Sequence, residues 1–143
     1  AVVRPEEEQV PYMLSEAFRP EAEVVLSEPP PVALGGGSVE GTVTWQERTP
    51  DRLRLAVTSD REALLVVADN WFPAWQATVD GQEAPVLRAY HALRAVPVPA
   101  GAHTVEMVYR SAVVARSLWV SAAVSLLLLG GLGWGWLRDG RRA

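Results

Sequence analysis

The stretch Trp75-Gln76-Ala77-Thr78-Val79-Asp80-Gly81 decides the fold. Asp80-Gly81 separates two β-prone runs, Trp75 to Val79 and Ala84 to Tyr90. A two-residue type I′ turn needs positive φ at both central positions, which Asp-Gly supplies with little strain. The segment is therefore an antiparallel hairpin. Working outward, short apolar or alternating runs recur every eight to twelve residues with turn residues between them. They are Glu23 to Leu26, Gly41 to Glu47, Arg52 to Thr58, Ala63 to Ala68, Leu93 to Val98 and His103 to Tyr109. In Arg52 to Thr58 the residues Leu53, Leu55 and Val57 alternate with Arg54, Ala56 and Thr58, one apolar face per strand. Val105, Met107 and Tyr109 share a face of the last run. Thr49-Pro50-Asp51 is a second hairpin connection, since Pro presets φ and Asp can bond nearby backbone. The expected architecture is mainly β, an antiparallel, jelly-roll-like β-sandwich.

The flanks differ from this centre. Residues 1–22 are polar and proline-punctuated, with the acidic run Glu6-Glu7-Glu8 and a helix expected at Met13 to Phe18, and read as a linker. Pro29-Pro30-Pro31 and Gly35-Gly36-Gly37 hold neither helix nor central strand and mark a loop. Residues 23–112 form the β domain. From Leu118 to Leu137 no residue is charged, and twenty residues at 1.5 Å rise cover the roughly 30 Å bilayer core. One C-terminal transmembrane helix is expected over 116–138, with a tail at 139–143. Trp119 lies near one end of the run, Trp134 and Trp136 near the other, as interfacial indoles do. Arg138, Arg141 and Arg142 follow it against Arg110 and Arg116 before it, which favours a cytoplasmic C-terminus and an external β domain. Ser121 with Ser125, and Gly131 with Gly135, recur four apart. That spacing suits packing against other membrane helices, and equally the general frequency of small residues in such helices.

Charge narrows the partners. The chain carries −4 overall, but before Ser117 ten Arg face sixteen acids, a net of −6. An acidic external domain argues against nucleic acid. With no cysteine, disulfides, thiolate nucleophiles and Cys-based metal sites are out. The chain opens on Ala1 without a basic, apolar leader, so the expectation is either that the N-terminus was cut away or that the domain never crosses.

The stretch Ala68-Asp69-Asn70-Trp71-Phe72-Pro73-Ala74-Trp75 running into Val79-Asp80-Gly81 resembles the conserved end of the YfhO family of bacterial polytopic membrane proteins. Ala84-Pro85-Val86, Arg88-Ala89-Tyr90, Leu93 to Val105 and Tyr109-Arg110 continue the likeness without a gap. It covers about residues 12 to 137. The resemblance implies a long protein similar in layout to GT-C-type lipid-linked sugar transferases, with this domain outside the bacterial cytoplasmic membrane. It implies glycosylation of envelope polymers such as lipoteichoic acid, and as partners the bilayer, upstream helices of the same protein and an envelope glycan or lipid-linked sugar. The catalytic loops of such an enzyme have no counterpart here, so no catalytic residue is assigned. The other reading is a membrane-anchored carbohydrate-binding or structural envelope module without catalysis.

Within the chain, Asp69, Asn70, Trp71, Trp75, Tyr90 and His91 could converge. Aromatic faces beside amide and carboxylate groups suit a sugar, although Trp71 and Trp75 serve equally as core residues of a small sandwich. His91 and His103 lack metal-ligand spacing, and no metal or cofactor is expected. Asp69 with Asp80 is a weak carboxylate pair, because Asp80 is accounted for by its turn. Gly35-Gly36-Gly37 lacks the Lys and Ser/Thr of a phosphate loop.

Overall fold

In the computed structural model, which describes residues 1–32, 34–35 and 39–139 (backbone only at 112, 114, 115 and 130–139), Leu53, Leu55 and Val57 are buried together as their alternation requires. They lie on β4 (Arg52–Ser59), which pairs with β3 (Gly41–Arg48) on one side and β10 (Gly101–Tyr109) on the other. β6 (Trp75–Val79) and β7 (Gln82–Ala84) complete this sheet in the order β3-β4-β10-β6-β7. The other sheet runs β1 (Val2–Val3), β2 (Val25–Leu26), β8 (Leu87–Ala89), β9 (Leu93–Val98) and β5 (Ala63–Asn70). Pairing is antiparallel except between β1 and β2, which are parallel. One core cluster joins Leu53, Leu55, Val57, Ala77, Val105 and Met107 of one sheet to Leu65, Val67, Val96 and Val98 of the other. Each such side chain taken from water contributes roughly 1.5–3 kcal/mol.

The Asp80-Gly81 turn has φ of +51° and +81°, and Val79 sits opposite Gln82, as a two-residue hairpin demands. At the β3–β4 turn the Thr49 side chain takes the local bonds: its Oγ1 accepts the Arg52 N–H at 3.0 Å and lies 2.9 Å from Asp51 Oδ1.

Several expectations change. The strand expected at Ala84 to Tyr90 is two strands in different sheets, β7 and β8. Pro85 separates them because it has no N–H for a ladder. The jelly-roll order is not what forms: such folds send successive strands to alternate sheets, whereas β3–β4, β6–β7 and β8–β9 each stay within one sheet. The helix expected at Met13 to Phe18 lies instead at α1 (Glu6–Met13), where Glu6, Glu7 and Glu8 occupy the first turn and favour the positive end of the helix dipole. Residues 1–22 are no detached linker, since they contribute β1, α1 and the fully buried Gln9 to the unit Ala1–Arg110. Pro29 to Val32, Leu34 and Gly35 lie in the β2–β3 connection, and Gly36 and Gly37 fall outside the described residues.

The second unit, Ser111–Ala143, holds α2 (Ala112–Asp139). Ser121 and Ser125 are exposed on it, while the side-chain surroundings of Gly131, Gly135, Trp134 and Trp136, and the tail from 140 onward, lie outside the described residues. Among the described residues no helix is long and apolar enough to cross a membrane.

Candidate functional site

β8 and β9 bring two arginines face to face. Their register sets Arg88 opposite Arg94, and directly opposed like charges destabilise a sheet. Each is answered by a carboxylate and an indole. Arg94, with no exposed surface, donates from Nη2 to Asp69 Oδ2 at 2.6 Å and lies over the Trp75 ring, 3.8 Å from its centroid. Trp75 in turn packs edge-on against Tyr109 at 5.5 Å. Arg88 pairs with Glu6 at 2.8 Å, lies 5.5 Å from the Trp71 centroid, and donates from Nε to the His91 carbonyl. Trp71 Nε1 donates to the Val86 carbonyl at 3.2 Å. Burial pulls the Arg94 pKa down and Asp69 pulls it back up; a guanidinium keeps its charge through such opposing shifts. Among the described residues its Nε and Nη1 have no hydrogen-bond partner.

A break in the β5–β9 register between Val67 and Asn70 accompanies this geometry. The extra residues there bend the strand end and allow Asp69 to reach Arg94.

The β8–β9 connection is the strained part of the site. Tyr90 and His91 both take left-handed φ, +47° and +66°, uncommon for residues other than glycine. Surrounding groups hold them there. Gln9 Oε1 accepts the His91 N–H at 2.8 Å, while Gln9 Nε2 donates to the Arg4 carbonyl and to Ser27 Oγ, both at 3.0 Å. Tyr90 N–H reaches the Val25 carbonyl and its hydroxyl the Glu23 carbonyl, each at 2.8 Å. Burial, then the Glu23 charge, raises the Tyr90 phenol above its ordinary range.

The six residues expected to converge are thus divided by role. Asp69 and Trp75 enclose Arg94, Trp71 and the His91 carbonyl hold Arg88, and Tyr90 staples the turn while bordering a cleft of about 300 Å³. Asn70 is exposed opposite Leu93, with its N–H on Asp69 Oδ1 at 2.8 Å. Arg88, Arg94, Glu6 and Gln9 were missed. The available signal was Arg94 itself, one charge in the otherwise apolar run Leu93 to Val98.

Asp80 does more than turn the chain. Its Oδ2 lies 2.6 Å from His103 Nδ1 and its Oδ1 accepts the Thr104 N–H at 2.7 Å. The His103 contact, then Thr104, lowers the Asp80 pKa, and Asp80 raises that of His103. The pair rims a cleft of about 380 Å³ walled by Pro85, Pro97 and Pro99. Asp69 and Asp80 therefore serve different partners. Among the described residues no three His, Asp or Glu side chains gather as a metal site. Compared with known proteins, the chain finds no match among family models, curated proteins or solved structures.

Proposed function

We propose that this chain is the C-terminal extracytoplasmic domain and last membrane helix of a YfhO-like integral membrane protein that glycosylates envelope polymers of the lipoteichoic-acid type. The first unit is read as a sandwich that covers or shapes the acceptor region, with binding or positioning as its contribution, and bond breaking assigned to other parts of the parent protein. One observation carries the membrane part. On α2, Leu118, Trp119, Val120 and Leu126 to Leu129 are each 63–78% exposed, an apolar surface that calls for lipid or protein cover. The uncharged run continues in sequence to Leu137. The accessory role is supported by where the YfhO-like residues go. Asp69, Trp71, Trp75, Asp80 and Arg94 are all engaged in holding strands and turns together.

The test uses the absence of native cysteine. With Gln82→Cys on the exposed hairpin, a membrane-impermeant thiol reagent labels intact cells expressing the gene if the domain is outside. Labelling that appears only after lysis places it in the cytoplasm and ends the envelope reading.

A further inference from the structure

His103 stands between two turns. Its Nδ1 faces the Asp80 carboxylate of the β6–β7 hairpin at 2.6 Å, and its Nε2 faces the Ala100 carbonyl at 3.1 Å. Ala100 belongs to the connection from β9 to β10, and those two strands lie in different sheets. One imidazole therefore ties the crossover between the sheets to a hairpin of the second sheet. The fit is close: Gly101 takes a φ of +115°, which glycine alone adopts readily, and a Cβ there would lie 3.4 Å from Nε2. Pro97 and Pro99, on β9 and the crossover, face Val79, Ala84 and Pro85 across the cleft of about 380 Å³ that His103 and Asp80 rim.

The partners fix the protonation. A carboxylate and a carbonyl oxygen only accept hydrogen bonds, so both contacts are satisfied only by the imidazolium, which carries an N–H on each nitrogen. Asp80, and then the Ala100 carbonyl, raise the His103 pKa accordingly. The other charged groups lining the cleft are Glu62 and Glu83, of the same sign as Asp80. On β4 the residues beside His103 are the neutral Ala56, Val57 and Thr58, and Asp60 and Arg61 beyond them pair with each other at 3.3 Å.

Loss of one proton leaves one N–H for two acceptors. The shorter contact, to the charged acceptor, keeps it, and the Nε2 lone pair is left facing the Ala100 oxygen. Asp80 is also held to β10 by bonds that do not titrate with the ring: its Oδ1 accepts the Thr104 N–H at 2.7 Å, and its own N–H reaches the Thr104 carbonyl at 2.8 Å. We infer that His103 is a pH-operated latch. As imidazolium it clamps the β9–β10 crossover to the Asp80-Gly81 hairpin, and as neutral imidazole it keeps the hairpin and releases the crossover, loosening the proline wall of the cleft. The latch lies wholly within the first unit, so it does not depend on where a membrane lies.

The test uses the full chain, isotope-labelled and purified in detergent, followed by NMR between about pH 5.5 and 9. Ring nitrogen shifts of His103 are expected to show both nitrogens protonated at the acid end and Nδ1 alone protonated at the alkaline end. Over the same midpoint the backbone order parameters of Ala100 and Gly101 should fall from about 0.85 towards 0.6, while those of Asp80, Gly81 and Thr104 hold. Asp80→Asn is the sharper variant. Asparagine tolerates the left-handed turn, and its amide donates to Nδ1, which leaves a neutral ring with its N–H on the Ala100 side. Its crossover should stay rigid at alkaline pH, where the parent's is loose. His103→Gln, which cannot titrate, should remove the pH dependence. Far-UV circular dichroism establishes that each variant is folded, and if Asp80→Asn is not, the parent titration and His103→Gln decide. A neutral ring that keeps its proton on Nε2 overturns the inference, as does a parent crossover equally rigid at both ends of the range. Asp80→Asn loosening like the parent overturns it too, and a transition that survives His103→Gln assigns the titration to Glu62 or Glu83 instead.

Discussion

β9 and β3 are the two extremes of this molecule. Every residue of β9 from Arg94 to Val98 is buried, whereas β3 is exposed along nearly its whole length. Composition alone does not separate them, since β9 carries an arginine and a proline, and β3 carries valine and tryptophan. Position in the sheet does. β9 has β8 on one side, β5 on the other, the shared core against Val96 and Val98, and a second cluster with Leu26, Leu87 and Ala89 around Ala95. Even Pro97 fits: β8 accompanies β9 only as far as Ala95, so the missing N–H falls where one flank has no ladder to complete. Burial follows from strand order, and a polar residue in a buried strand must bring its partners along.

The comparison breaks most visibly under a buried charge. Val96→Asp places a carboxylate where no surface is exposed, and an unpaired buried charge of this kind is expected to cost 4 kcal/mol or more, on the order of total stability. The outcome is a chain that fails to fold or aggregates. Val43→Asp, the same change on half-exposed β3, is expected to cost about 1 kcal/mol, the span of strand propensity. Urea unfolding followed by tryptophan fluorescence checks both, and equal losses would mean that β3 is as enclosed as β9.

Arg94 sharpens the point, because its partner is half exposed while it is not. Asp69→Ala leaves a buried guanidinium against Trp75 with one fewer hydrogen bond, at about 2 kcal/mol after allowing for water that can enter where the carboxylate was. Arg94→Met removes charge and orphan donors together and is expected within about 1 kcal/mol of the parent. If Arg94→Met proved the more damaging, the arginine would be wanted for something besides the fold.

How far this was legible in the sequence depends on the range of the forces involved. The Asp80-Gly81 hairpin and the β4 alternation are local, set by two φ angles and a period of two, and the strands Trp75 to Val79 and Leu93 to Val98 have the bounds expected of them. Glu6 to Glu8 were legible as charge but not as the first turn of a helix, because helix-dipole stabilisation matters only once the helix has something to dock on. Gln9 and the Tyr90-His91 turn meet across eighty-two residues, and nothing in the local sequence announces that a glutamine will hold a left-handed histidine. The candidate residues were grouped near one another, but the arginines at their centre were passed over, because a charged residue in a strand reads as a solvent-facing position.

Gly41 tests the other side of the comparison, the tie that keeps β3 attached at all. A Cβ there would stand 2.5 Å from the Thr58 carbonyl oxygen, a backbone atom that cannot swing aside. Gly41→Ala is therefore expected to push the start of β3 off β4 at a cost of about 1–2 kcal/mol, read as faster amide hydrogen exchange at Thr42 and Val43 with β9 unchanged. Exchange that rose equally in β9 would show that the strands unfold as one unit.

The smallest expected effect belongs to Asp80 and His103, an exposed pair and so a useful baseline for the buried one at Arg94. The pKa of His103 is raised, so its contribution is complete below the ordinary imidazole value near 6.5 and is lost as pH rises through the folded value. That of Asp80 is lowered, so its contribution is present above the ordinary carboxylate value near 3.8 and is lost as pH falls through the folded value. Both are fully present together between about pH 4 and 6.5, and each fades outside that window as pH passes its folded value. Stability measured across that range should show a shallow maximum that His103→Ala removes and that salt flattens, since the pair is open to solvent. The Thr104 N–H bond to Asp80 and the left-handed turn do not titrate near neutral pH and should survive the substitution. A maximum that persisted without His103 would shift the pH dependence to other carboxylates, such as Glu23, whose pKa is lowered chiefly by the Arg19 N–H and also by the Tyr12 hydroxyl.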